Sequence, residues 1–154
     1  MAELTQMEMR ILAELEEAGL ENIPAIANTV TEITGLDAER TQIKEALLNL
    51  VHADLIRLSI DSSHAGRIRT LTKGEQLPII AKLGGRRPWP LSTEDSLELL
   101  VGFEKRLRFD HVRKHWTSDD SPYPHILVTD TGRKQAENIL AERGYRWWRR
   151  ENES

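Results

Sequence analysis

Three stretches near the start of the chain repeat their apolar residues at helical spacing, after which the pattern changes to alternation. The first begins at the capping box Thr5-Gln-Met-Glu8, and the second spans Pro24 to Thr34, with Asn22 as its predicted cap. The third follows Asp37, which is predicted to be its cap. Because helices this short are not stable in isolation, we predict that the three share one core.

The alternating part of the sequence predicts a hairpin. Leu55 to Ile60 is expected to form one strand and Arg67 to Leu71 a second, with a polar turn between them. A short helix is predicted over Glu75 to Leu83. The segment Gly84 to Pro90 that follows is rich in Gly, Pro and Arg, which is typical of a linker. We therefore predict two domains, residues 1–85 and 92–154, joined by a linker at residues 86–91.

The second half of the chain is predicted to be mostly helical. A helix capped by Ser92 or Thr93 would carry a first apolar stripe of Leu97, Leu100, Phe103 and Leu107. A bend near residues 108–110 would then lead into a second stripe of Phe109, Val112 and Trp116. A short strand over Ile126 to Val128 and a helix over Thr131 to Arg143 complete the prediction, which is of an α+β protein that is mostly α.

Composition places the chain among soluble globular proteins, with 39% hydrophobic and 30% charged residues. The absence of cysteine excludes disulfides, thiol catalysis and cysteine-containing metal sites. No apolar run is long enough to span a membrane, and no signal peptide is visible. These features predict a cytoplasmic protein with no membrane partner.

Charge is distributed unevenly along the chain. Residues 1–54 carry three Lys/Arg and eleven Asp/Glu, whereas residues 55–90 carry seven Lys/Arg and two Asp/Glu. A local basic region can attract phosphate even when the whole protein is acidic. The charge pattern therefore indicates the predicted hairpin and the segment after it as a possible phosphate-binding surface.

Three segments resemble a known family. The segments Ala53-Asp-Leu-Ile-Arg-Leu58 and Arg67-Ile-Arg-Thr-Leu-Thr-Lys-Gly74 are similar to the recognition-helix end and the wing of MarR-like and PadR-like winged helix-turn-helix regulators. Val128-Thr-Asp-Thr-Gly-Arg-Lys-Gln-Ala136 is an even closer match to the element that opens the helix after the wing, although it lies in the second half of the chain. The resemblance covers about half of the sequence. It implies a winged helix-turn-helix followed by a helical part with a short hairpin or partial second wing.

The resemblance implies sequence-specific binding of double-stranded DNA by a transcriptional regulator. The third helix would enter the major groove and read bases, and the wing would contact phosphates or the minor groove. The predicted DNA-binding residues are Arg40, Thr41, Gln42, Lys44, Glu45, Arg57, Arg67, Arg69 and Lys73. Family members usually dimerise through helices outside the wing unit, so a homodimer is expected, with the first apolar stripe as its interface.

Other interpretations remain open at this stage. The acidic first three helices are also consistent with a protein-protein interaction module that does not bind DNA. His111 and His115 stand at a spacing that can bind a metal on a helix, which leaves a metal-dependent enzyme as a third hypothesis. No nucleotide-binding, hydrolase or metalloprotease motif is present in the sequence, so we expect no catalytic residues, no metal and no cofactor.

The wing hypothesis makes one prediction. We expect the double substitution Arg67→Ala/Arg69→Ala to weaken binding to duplex DNA and to flatten its dependence on salt, because each arginine that neutralises a phosphate releases counterions. Fluorescence polarisation over a salt series measures both quantities. An unchanged salt slope would remove these two arginines from the binding site.

Overall fold

The computed structural model describes residues 3–18, 20–60, 89–103, 107–118, 125–144 and 147–148. Within these ranges the protein is α+β and mostly helical, with small antiparallel sheets. In chain order the elements are α1 (Gln6–Ala18), β1 (Leu20–Asn22), α2 (Ile23–Val30), α3 (Asp37–His52), β2 (Ile56–Ile60), β3 (Trp89–Pro90), α4 (Thr93–Phe103), β4 (Leu107–Asp110), β5 (His115–Ser118), β6 (His125–Val128) and α5 (Asp130–Arg143).

The first three helices form where the sequence predicts them. Thr5 and Glu8 make the reciprocal capping-box hydrogen bonds, Thr5 N to Glu8 Oε1 at 3.0 Å and Glu8 N to Thr5 Oγ1 at 3.1 Å. Asn22 caps α2 by accepting a hydrogen bond from Ala25 N at 2.8 Å, which confirms the predicted cap. Helix α2 is shorter than predicted and ends at Val30. Leu36, rather than Asp37, occupies the N-cap position of α3.

Strand β6 lies in the middle of the larger sheet, whose order is β1-β6-β2-β3. It pairs antiparallel with β1, with Glu21 opposite Ile126, and antiparallel with β2, with Leu58 opposite Ile126. Ile126 is therefore the central residue of three neighbouring strands, and it is fully buried. Strand β6 therefore joins β1 to β2, although it begins more than sixty residues after the end of β2 in the sequence.

The parts on the two sides of the predicted linker share one sheet and one hydrophobic core. Helix α5 packs against α1, and α4 packs against α3 and β2. Of the predicted dimerisation stripe, Leu100 and Leu107 are each 2% exposed, and Leu97 is half-buried against the same core. These leucines therefore stabilise the fold of the single chain. No helix in the described ranges is long and apolar enough to cross a membrane.

The predicted second helical stripe of the C-terminal half is wrong. Residues 107–110 and 115–118 form the antiparallel hairpin β4–β5, with Phe109 opposite Trp116. The apolar side chains of Leu107, Phe109 and Trp116 therefore follow the two-residue period of strands rather than the helical period. The predicted strand Arg67 to Leu71 and the predicted helix Glu75 to Leu83 lie outside the described residues.

The start of α5 is hydrogen-bonded to the turn between α3 and β2. Thr129 N donates to the Leu55 carbonyl oxygen at 3.0 Å, and Thr129 Oγ1 donates to the Asp54 carbonyl oxygen at 2.7 Å. Thr129 Oγ1 also accepts from Gly132 N at 3.0 Å, which caps the first turn of α5. A side chain at Gly132 would collide with the Leu55 carbonyl and with Val128. Only glycine permits this close approach of α5 to the backbone that leads into β2.

The close approach at Gly132 predicts that a single added methyl group destabilises the protein. We expect Gly132→Ala to lower the free energy of unfolding by about 1–3 kcal/mol, because the new Cβ meets a backbone carbonyl that cannot rotate away. Urea denaturation measures the loss. Thr131→Ala, at the exposed neighbouring position, is the matched control and should change stability by less than about 0.5 kcal/mol. Equal stability of the two variants would contradict the close approach.

Candidate nucleic-acid interface

Helix α3 exposes a face that is polar and slightly acidic. Its exposed residues are Asp37, Ala38, Thr41, Gln42, Glu45, Asn49 and His52, so all seven lie on the face opposite the buried Ile43, Leu47 and Leu50. Three of the predicted DNA-binding residues, Thr41, Gln42 and Glu45, are in this group. None of the exposed residues of α3 is a lysine or an arginine.

The basic residues of α3 lie at the side of this face. Arg40 is half-buried, with its guanidinium 3.4 Å from the Asp37 carboxylate and 5.8 Å from the centre of the Trp116 ring. Lys44 is also half-buried. The predicted base contact from Arg40 would therefore have to compete with Asp37 and with the tryptophan ring.

Arg57 is held by the protein itself. Its Nη2 and Nε donate to Asp54 Oδ1 at 2.7 and 3.2 Å, and its Nη1 donates to the Leu91 carbonyl oxygen at 3.1 Å. The described contacts of Arg57 thus join β2 to the segment before α4. The remaining predicted wing residues, Arg67, Arg69 and Lys73, lie outside the described part of the chain.

A buried carboxylate organises the turn between α2 and α3. Glu39 is 6% exposed and accepts hydrogen bonds from Thr34 N at 3.0 Å and from Gly35 N at 3.4 Å. It also accepts a hydrogen bond from Trp116 Nε1 at 2.7 Å. One side chain in the first turn of α3 thereby joins the preceding turn to the β4–β5 hairpin.

Two further contacts dock the hairpin on α2 and on the turn that follows it. The Asn28 amide forms a pair of hydrogen bonds with the Trp116 backbone, donating to its carbonyl oxygen at 2.9 Å and accepting from its N–H at 2.6 Å. Gly35, with φ +76°, lies so close to the Phe109 ring that a Cβ atom would be 2.6 Å from Phe109 Cδ2. Sequence reasoning missed Asn28 and Glu39, since their partner Trp116 is 88 and 77 residues away and neither stands in a local motif.

The tip of the hairpin is closed by an aspartate. Asp110 Oδ1 accepts from Val112 N at 2.9 Å and from Arg113 N at 3.0 Å. The hydrogen bond from the Arg113 N–H, with that from Val112 and the nearby charges of His115 and Arg113, holds the pKa of Asp110 below its ordinary value, against a smaller opposing effect of burial. Because the pKa of Asp110 is lowered in the folded protein, the ionised carboxylate stabilises the fold at neutral pH. This stabilisation is lost only as the pH falls through the lowered pKa.

An acidic groove lies beside the exposed face of α3. It has a volume of about 430 Å³ and lies between the start of α1, the end of α2 and the middle of α3. The carboxylate-bearing residues Glu8, Glu32, Glu39 and Glu45 line it, together with Arg10. Glu8 is engaged by Asn49 Nδ2 at 3.0 Å, whereas Glu32 is 67% exposed and 4.0 Å from the Arg10 guanidinium. The groove therefore favours a cationic rather than an anionic occupant.

Within the described part of the chain, the histidine pair considered as a metal site does not belong to a larger ligand cluster. Among the described residues no group of three or more histidine, aspartate or glutamate side chains is placed to hold a metal ion. His111 lies in the exposed tip of the hairpin and His115 begins β5, so the two residues are not on one helix.

No protein-family model, curated protein or solved structure matches this chain.

These contacts predict that the stability of the docked β4–β5 hairpin depends on the side-chain amide of Asn28. We expect Asn28→Asp to destabilise the protein by about 1–3 kcal/mol, because the carboxylate cannot donate to the Trp116 carbonyl and repels its oxygen. Thermal and urea denaturation measure the loss. Gln42→Glu adds the same charge at an exposed position and is the matched control. A loss no larger than that of the control would contradict the role of Asn28.

Proposed function

We propose that the protein is a winged helix-turn-helix transcriptional regulator that presents the exposed face of α3 to the major groove of duplex DNA. The observation that carries the proposal is the contact between Leu55, which lies between α3 and β2, and Thr129, at the start of α5. These residues belong to two of the three sequence segments that resemble winged-helix regulators. Their contact supports treating the two segments as one motif, although they are far apart in the sequence.

In this proposal the two strands of the wing are β2 and β6, which pair from Ile56 opposite Val128 to Ser59 opposite His125. Residues 61–124 then lie between the two strands of the wing, and β3, α4 and the β4–β5 hairpin belong to that insertion. The strand β1, between the first two helices, adds the third member of the sheet. The proposal accounts for the order of elements α1, β1, α2, α3, β2, β6 and α5 with a single insertion.

The residues available for reading bases are Thr41, Gln42 and Glu45. Glutamine can make a bidentate contact to adenine, threonine can bond to several bases, and glutamate can accept from the cytosine amino group. All three are exposed, and none of them supplies positive charge. Selectivity and phosphate attraction would therefore come from different parts of the protein.

A homodimer remains part of the proposal, because a twofold pair of α3 helices would match a palindromic site. Its interface would not be centred on Leu100 and Leu107, since both are buried within the single chain. The apolar residue Val101, next to Leu100 on α4, is 58% exposed and is available for such a contact.

The proposal is tested by selection of duplex sequences from a random pool at two salt concentrations. We expect retention at low salt and enrichment of a sequence motif. Thr41→Ala/Gln42→Ala should reduce discrimination within that motif by about 1–3 kcal/mol for each lost bidentate contact and leave the salt slope unchanged. Glu137→Ala/Asn138→Ala, at two exposed positions of α5, is the matched control.

Each outcome of the selection bears on the proposal. No retention of duplex DNA by the wild-type protein at low salt would refute it. Retention without enrichment of a motif would indicate an architectural rather than a regulatory role.

The acidic groove favours a second candidate function. An interaction module that binds a Lys/Arg-rich segment of a protein partner would use Glu32 and Glu45 at the rim of the groove. A protein that binds a Lys/Arg-rich peptide but no DNA, and that loses the peptide in Glu32→Gln/Glu45→Gln, would favour this function over the first.

A further inference from the structure

The β4–β5 hairpin is a fixed part of the helix-turn-helix surface. It is joined to α2 through Asn28, to the turn through Gly35 and to α3 through Glu39. These three contacts involve the strand residues Phe109 and Trp116, which lie opposite each other in the hairpin. The four residues between the strands are thereby held at a defined place beside the first turn of α3.

The tip itself has little conformational freedom. The Asp110 carboxylate binds two backbone N–H groups of the turn, and Lys114 N donates to the Asp110 carbonyl oxygen at 2.7 Å. Lys114 closes the turn with φ +58°. A tip that is already ordered loses less entropy when it binds a partner than a free loop does.

The tip exposes positive charge rather than aromatic rings. Arg113 and Lys114 are exposed, whereas the Trp116 ring is 1% exposed and contacts Glu39. Stacking of nucleobases on Trp116 is therefore excluded in this conformation. Residues 107–118 contain three Lys/Arg and one aspartate, which is the opposite charge balance to that of the first three helices.

We infer that the β4–β5 hairpin is a second DNA-contacting arm, in which Arg113 and Lys114 bind phosphates of the duplex next to the bases that α3 reads. The inference rests on the proposed function and adds to it the source of the phosphate attraction that the exposed face of α3 lacks. Duplex DNA carries one negative charge per about 1.7 Å of axis, so two adjacent cations on a fixed tip can bind the backbone together.

The placement of the tip favours DNA over another anionic partner. Trp116 Nε1 donates to the Glu39 carboxylate, so the first turn of α3 and the hairpin are in direct contact. The N-terminal part of a recognition helix is the part nearest the bases. A cationic tip at that end therefore reaches the backbone when α3 occupies the groove.

The test neutralises the tip without disturbing its turn. In Arg113→Gln/Lys114→Asn both charges are removed, and asparagine tolerates the positive φ of position 114. We expect the affinity for random-sequence duplex DNA at low salt to fall about tenfold or more. The slope of log K against log salt should become shallower by about 2, because two phosphate contacts are lost, and the selected motif should not change.

Two matched variants separate a local effect from a change in net charge. Arg133→Gln/Lys134→Gln removes the same charge from α5, which packs against α1 and β6, and should leave the salt slope unchanged. Arg113→Lys/Lys114→Arg retains both charges and should retain the slope. Circular dichroism and thermal denaturation confirm that each variant is folded before binding is measured.

The possible failures are distinguishable. Absence of DNA binding by the wild-type protein at low salt would refute the proposed function and the arm together. Binding by the wild-type protein with an unchanged slope in Arg113→Gln/Lys114→Asn would overturn the arm alone. An equal loss in the α5 control would also overturn it, because the effect would then be one of net charge.

Discussion

Strand β6 is the element on which the rest of the structure depends, because its two edges are hydrogen-bonded to β1 and β2. These two strands come from the first sixty residues of the chain, whereas β6 comes from its second half. The strand continues directly into Thr129, which binds the carbonyl groups of Asp54 and Leu55. The pairing therefore places α5 against α1 and closes one core around both halves of the sequence.

Polar contacts, more than apolar area, determine where the β4–β5 hairpin lies. Trp116 is buried, but its position is specified by the Asn28 amide and the Glu39 carboxylate, each at hydrogen-bonding distance. A buried carboxylate is costly unless it is satisfied, and Glu39 is satisfied only when the turn and the hairpin are both in place. The same principle recurs near the C-terminus, where Trp148 Nε1 donates to the buried Glu14 at 2.9 Å. Two carboxylates of the N-terminal helices thus each hold a tryptophan from the second half of the chain.

The elements that could be predicted are those whose signals are local. The capping box at Thr5, the Asn22 cap and the apolar spacing of α3 lie within a few residues of one another, so α1, α2 and α3 were predicted with small errors at their ends. The hairpin at 107–118 was predicted as a helix, since Phe109, Val112 and Trp116 also fit helical spacing. The alternation of Leu107 and Phe109 with polar neighbours was the competing signal. Of the predicted site, Thr41, Gln42 and Glu45 are exposed, whereas Arg40 and Arg57 are engaged by Asp37 and Asp54.

The sequence by itself determined the first three helices, the caps of α1 and α2 and the concentration of acidic charge in the first part of the chain, because each depends on residues that are close neighbours. Only the tertiary structure decided that β6 pairs with β2 and that Asn28 and Glu39 meet Trp116. Strand pairing and side-chain hydrogen bonds join residues 66 to 88 positions apart, and neither leaves a periodic trace in the chain. The same distinction applies to charge: the sequence shows which residues are basic, but burial and ion pairs decide which of them a partner can reach.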